Sequence, residues 1–186
     1  MEVDCAPKGS VVLRRAVAGS GDAERISTFG AKAFIDTFLV EFQVPYPEAD
    51  LKVYMEESYA ASTFEKWLND PKFEVWVADA PDGSVAGYCA SGPCTLPHEE
   101  VTEANGELYK LYLGTSYFGT GLAQALYDRA DEFLKTAYKG PRYLSVWSEN
   151  IRAQRFYQRQ GYEFLSEYEY PVGAHRDREF IFRSKD

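Results

Sequence analysis

Leu111-Tyr112-Leu113-Gly114-Thr115-Ser116-Tyr117-Phe118-Gly119-Thr120-Gly121-Leu122-Ala123 decides the reading of the fold, because it runs from a strand pattern through three glycines into a helical one. Upstream, Glu107 to Leu113 alternate as a strand does, with side chains thrown to opposite faces at every step. Downstream, Leu122, Leu126, Ala130, Phe133 and Leu134 recur at helical spacing until Gly140-Pro141 stops them. Gly119 and Gly121 carry no Cβ, so the chain there lets a bulky anion approach. The orphan amides and dipole of the helix that follows stabilise negative charge, and a pyrophosphate suits such a cradle. The same glycines also suit a plain tight turn, and the loop alone leaves both readings open.

Two familiar phosphate loops do not fit. In the pattern GxxxxGK[ST], Gly114 and Gly119 match but Thr120 stands in the place of the lysine. A dinucleotide fingerprint needs a third glycine where Gln124 stands, and an acid ending the next strand, which instead runs Ser145-Val146-Trp147. Working outward, a short strand at Val11 to Arg14 leads to Asp22, read as a helix N-cap, and to Ile26, Phe29, Ala33 and Phe34 on one helical face. Pro45 and Pro47 end that pattern; Leu51 to Tyr59 and Thr63 to Leu68 predict two further helices. Phe73 to Ala80 and Val85 to Ser91 predict a hairpin closed by Pro81-Asp82-Gly83, and Gly92 to Gly106 reads as a loop. Arg142 to Trp147 is a strand, Asn150 caps a helix ended by Gly161, and strands around Glu167 to Tyr170 and Arg178 to Phe182 finish the chain. Helices alternating with strands predict an α/β domain, single over residues 1–186, with no internal repeat or linker.

Beyond the glycine loop, Val146-Trp147-Ser148-Glu149-Asn150-Ile151-Arg152-Ala153-Gln154-Arg155-Phe156-Tyr157-Gln158-Arg159-Gln160-Gly161-Tyr162 follows one helix and one strand later. This segment resembles N-x-x-A-x-x-F-Y-x-x-x-G-F/Y, the second signature of the GCN5-related N-acetyltransferase (GNAT) family. Ser116-Tyr117-Phe118-Gly119-Thr120-Gly121 resembles the acyl-CoA loop of the same family, Q/R-x-x-G-x-G/A. Ser116 departs from it where glutamine or arginine is usual, which leaves the phosphate contact to backbone amides from Phe118 to Ala123. Phe34-Ile35-Asp36-Thr37-Phe38, Tyr54 and the tail Tyr170 to Asp177 are similar, more weakly, to the bacterial spermine and spermidine acetyltransferase subgroup.

The resemblance implies a mixed, mostly antiparallel sheet flanked by helices, with central strands that splay apart around acetyl-CoA. It places the pantetheine arm along the backbone of Leu111, Tyr112 and Leu113 and the pyrophosphate on Phe118, Gly119, Thr120, Gly121, Leu122 and Ala123. Asn150 and Ala153 join the cofactor contacts, and Tyr157 takes the general-acid position, donating a proton to the departing thiolate. A backbone N–H near Leu111 to Leu113 stabilises the oxyanion that forms when an amine attacks the thioester. Bringing a protonated alkylamine from pKa about 10.4 to near 7 costs roughly 4 to 5 kcal/mol, so a base must help. Glu107, four residues before Leu111 and read as sharing its strand face, is that base; its plain alternative is a solvated strand-end carboxylate. Asn150 equally suits a simple N-cap, and Tyr157 one more core aromatic.

With 29 Asp and Glu against 20 Lys and Arg the chain carries a net charge of -9, which repels nucleic-acid backbones and anionic lipid. Acidic residues crowd Phe34 to Tyr59 and Gly92 to Gly106, the segments that choose the acceptor in this family, and they invite a polyamine or other small cationic amine. A protein lysine, an amino acid or an aminoglycoside remains open as acceptor, as does a domain that binds acyl-CoA without chemistry. A homodimer through the C-terminal strands is a further possibility. Cys5, Cys89 and Cys94 show no CxxC, and His98 and His175 stand alone, so neither disulfide nor metal is expected. An acidic start, Met1 to Pro7, and the absence of a long apolar run predict a cytoplasmic protein without membrane contact.

Overall fold

The computed structural model describes residues 10–185; Cys5 and the acidic start, Met1 to Pro7, lie outside the described residues. β1 (Val12–Arg15) opens a seven-stranded sheet and α1 (Asp22–Phe34) runs directly into a π-helical segment, Ile35–Glu41. α2 (Glu48–Ser58), α3 (Ala61–Asn69), β2 (Glu74–Asp79), β3 (Val85–Pro93) and β4 (Gly106–Leu113) follow. A short 3-10 turn, Thr115–Tyr117, leads into α4 (Leu122–Ala137), then β5 (Arg142–Trp147), α5 (Ile151–Arg159), β6 (Tyr162–Val172) and β7 (His175–Ser184). The strand order is β1-β2-β3-β4-β5-β7-β6, and every pair is antiparallel except β4 with β5. The α/β expectation, with a mostly antiparallel sheet between helices, is borne out.

Two cores cover the two faces of the sheet. On one, Leu122, Leu126, Ala130 and Leu134 of α4 pack with Cys89, Leu108, Leu144 and Phe182 beneath. These are the apolar positions read from the helical spacing, and each fully buried leucine contributes about 1.5–3 kcal/mol by leaving water. On the other face Ile26, Phe34, Phe38, Tyr54, Tyr59 and Phe64 of the front helices pack on Val75, Val77 and Tyr88. The aromatic excess is concentrated here: Phe34 touches the rings of Phe38, Tyr46, Tyr54 and Tyr59.

Three local expectations are corrected. Asp22 does not cap α1: Gly21, in the left-handed region at φ 87°, occupies the cap position without a side-chain bond. The buried Asp22 carboxylate instead accepts both Arg14 guanidinium nitrogens at 2.7 Å and the Val17 amide at 3.0 Å, tying α1 to β1. These bonds hold its pKa far below the ordinary carboxylate range. α1 also passes into a π-helix where a single helical pattern was expected, since a 3.6-residue reading does not register the extra residue that a wider turn inserts. The two last strands are long, 11 and 10 residues, because they form one hairpin turned at Gly173 with φ 60°.

Candidate active site

β4 and β5 pair in parallel at only two rows, Gly106 with Arg142 and Glu107 with Tyr143, and then diverge. Beyond Glu107 the backbone of β4 has no strand partner on that side, so its amides and carbonyls face the gap. A β-bulge sits in the same strand: Ala90 pairs with Lys110 and Ser91 with Leu108, leaving Tyr109 extra. The bulge shifts the alternation by one residue. Leu108, Leu111 and Leu113 all join the α4 core, whereas Tyr112 packs on the front core. Glu107 is thereby moved to the face opposite Leu111, correcting the shared face expected from their spacing.

A cavity of about 720 Å³ opens in this splay. Its walls hold Glu107, Leu111, Tyr112, Asn150, Ala153 and Tyr157 together, with Tyr54, Trp147 and Tyr170 from distant parts of the chain. Leu113 and Phe118 to Ala123 are not on those walls; they lie at the end of β4 and the start of α4. Among the described residues, five carboxylates, Glu57, Glu107, Glu169, Asp177 and Glu179, and a single cation, Lys110, line the cavity.

Burial in this acidic space shifts the titrating groups. Glu107 is buried, and desolvation lifts its carboxyl to about 7 despite the bonds it accepts from Thr95, whose amide lies at 2.9 Å. Desolvation and the nearby Asp177 raise Glu179 to about 8. Lys110 is pushed down to about 8 by burial, against the pull of Glu179 and Glu107, with its Nζ 4.3 Å from the centroid of the Tyr59 ring. The Tyr157 phenol is raised by burial and keeps its proton across the neutral range. Asp177 accepts a hydrogen bond from the Tyr46 hydroxyl and lies 3.3 Å from His175 Nε2.

At the glycine loop, Gly119 and Gly121 are left-handed, at φ 73° and 88°, and a Cβ at either would meet nothing within 4 Å. Phe118 and Thr120 spend their amides inside the turn, on the carbonyls of Thr115 and Tyr117. The amides of Gly119, Gly121, Leu122 and Ala123 have no partner among the described residues and converge at the head of a 16-residue helix. Asn150 caps α5, its Oδ1 accepting from the Ala153 amide at 3.0 Å, and it also faces the cavity. Sequence reasoning missed Lys110, Asp177 and Glu179: nothing local marks a lone acid or lysine in a strand as lining a cavity.

The chain matches the model of the acetyltransferase (GNAT) family over residues 33–162. It belongs to that family. An uncharacterized N-acetyltransferase of Lactobacillus delbrueckii subsp. lactis is 31% identical over 131 residues, covering 66% of this chain and 76% of that protein. The spermine/spermidine N(1)-acetyltransferase of Bacillus subtilis (strain 168) is 29% identical over 92 residues, 48% of this chain and 59% of that protein. The PaiA N-acetyltransferase of Thermoplasma acidophilum, solved in complex with coenzyme A, shares the fold at a TM-score of 0.70 and 17% identity, covering 95% of this chain and 99% of that one. This GNAT protein is an N-acetyltransferase whose acetyl donor is acetyl-CoA. The unpartnered amide cradle before α4 and the open edge of β4 suit the anionic and amide-bearing parts of that cofactor. Among the described residues no helix is long and apolar enough to cross a membrane.

Proposed function

We propose that this acetyltransferase modifies a primary amine of a small polycationic acceptor, of the polyamine class, by direct attack while donor and acceptor are bound together. The cavity carries the reading: five carboxylates and ten aromatic rings surround a single lysine. Such walls attract an alkylammonium through charge and through ring faces. Lys110 serves as an internal gauge of that environment. Burial drives its own ammonium toward the neutral form, down to about 8, against the pull of Glu179 and Glu107, and an acceptor amine must likewise lose its proton before it attacks. The similarity to a Bacillus spermine/spermidine acetyltransferase over 92 residues supports the same class.

The chain's residues divide the work. The cofactor supplies an activated acetyl thioester. Gly119, Gly121, Leu122 and Ala123 hold its pyrophosphate by their amides, while Leu111, Tyr112 and Leu113 offer main chain, and Asn150 and Ala153 one wall, to its arm. Glu107, raised by burial to about 7, accepts the proton of the amine directly or through water. Tyr157, held protonated by burial, gives its proton to the thiolate that leaves. Asp177 receives the acceptor's second cationic centre, and Glu179, raised to about 8 by burial and by Asp177, gives up its proton as that cation enters.

Thiol release from acetyl-CoA, followed with a chromogenic disulfide against spermidine, a lysine peptide, free amino acids and an aminoglycoside, tests this. Spermidine is expected to give the highest kcat/KM, with a rate that falls as pH drops through about 7 and Glu107 takes up a proton. Preference for the peptide or the aminoglycoside would replace the acceptor class, and a rate flat from pH 6 to 8 would remove Glu107 as base.

A further inference from the structure

The glycine loop recognises a highly charged cofactor without a cationic side chain: from Gly114 to Ala123 there is no lysine or arginine. In a chain of net charge -9 the loop itself therefore offers only backbone amides to the phosphates of coenzyme A. Among the described residues, a guanidinium from α5 reaches the loop. Arg152, the second residue of α5, lies with its guanidinium carbon 4.6 Å from the centroid of the Phe118 ring, and Phe118 immediately precedes Gly119. Its two terminal nitrogens are held by Glu41 at 2.7 and 3.0 Å, and its side chain is half exposed.

The placement runs against local preference. A cation in the first turn of a helix opposes the helix dipole, and α5 has no acidic residue to balance it. Arg155 and Arg159 repeat on the same exposed face, at helical spacing, so α5 is the basic element of an acidic protein. Side-chain bonds between Gln124 and Gln160 at 2.7 and 3.0 Å bind α5 to the start of α4. Violations of a local rule concentrate where function requires them. A planar, bidentate guanidinium on an aromatic ring suits phosphate as well as carboxylate.

We infer that Arg152 is a cofactor-binding residue whose guanidinium is held by Glu41 in the free protein and is handed to a phosphate group of coenzyme A when the cofactor enters. Glu41, at the end of the π-helical segment, is then an internal competitor for the phosphate, and it links the front helices to cofactor binding. The inference rests on the chain's use of acetyl-CoA and is independent of which amine is acetylated.

Calorimetric titration of coenzyme A and of dephospho-coenzyme A into the full chain, with no acceptor present, tests it in the wild type, Arg152→Gln, Arg152→Lys and Glu41→Gln. Arg152→Gln is expected to weaken coenzyme A at least about fivefold, with part of the loss recovered in Arg152→Lys. Glu41→Gln is expected to tighten it about threefold or more, because the competitor is gone. A loss that vanishes with dephospho-coenzyme A assigns Arg152 to the 3′-phosphate, and one that persists assigns it to the pyrophosphate. Arg152→Gln binding within about twofold of wild type overturns the inference, since a charge-assisted bond is worth more than that. Unchanged or weakened binding in Glu41→Gln overturns it as well, as that is the behaviour of a bridge that only fastens α5 to the front helices.

Discussion

Residues 106–161, behind the splay, and residues 22–69, in front of it, present different groups to the gap. Behind, the gap is edged by the open side of β4, the amides of Gly119, Gly121, Leu122 and Ala123 and a capped helix end, with Glu107, Lys110 and Tyr157 reaching the cavity from the same stretch. In front, recognition belongs to rings and carboxylates brought in from helices and from the distant β6–β7 hairpin. In the proposed reading, main chain serves a cofactor whose shape does not vary and side chains serve an acceptor that has to be chosen. The first is tied to a short run of sequence and the second to tertiary placement, so damage to each should look different.

The largest effect is expected at the back. Gly121→Trp places a bulky side chain at φ 88°, in the open space before α4, and should raise the Kd for coenzyme A more than about a hundredfold while the protein still melts cooperatively. Coenzyme A binding close to wild type would mean that the amide cradle is not the phosphate site. Tyr157→Phe stands at the junction of the two regions. It should lower kcat about a hundredfold with the Kd for coenzyme A unchanged, and an undiminished kcat in steady-state assays would take the phenol out of the chemistry.

The smallest effect is at the front. Glu179 titrates near 8 in the folded chain against an ordinary value of 4.5, so the fold binds its proton more tightly than the unfolded chain does. Stability from this group is therefore complete below pH 4.5 and is lost as pH rises through about 8. Glu179→Gln, neutral at every pH, should melt a few degrees above wild type at pH 9 and level with it at pH 4. A difference in Tm that does not change with pH would show that burial does not strain this carboxylate.

What could be read from the chain follows the same division. The glycine loop, the helical spacing of Leu122 to Leu134 and the Asn150 cap are local patterns, and each is where the spacing put it. Asp22 was misplaced because an acid before an apolar helical face reads as a cap, whereas Arg14, eight residues away, competes for it more strongly. Glu107 was assigned the wrong face because a bulge at Tyr109 leaves no mark in composition. Glu179 has no local mark because an acid in an alternating strand reads as a solvated one until another layer covers it, and Asp177 stands out only as the end of the tail that resembles the polyamine subgroup.

By itself the sequence determined the order of elements, the glycine loop before α4 and the helix that bears Tyr157, because hydrogen bonding and side-chain period act within a few residues. Only the tertiary structure decided that β4 parts from β5 after Glu107, that a bulge turns Glu107 away from Leu111, and that five carboxylates share one cavity with Lys110. Those features depend on which strands and helices meet, and burial changes the charge of a group only after they have met.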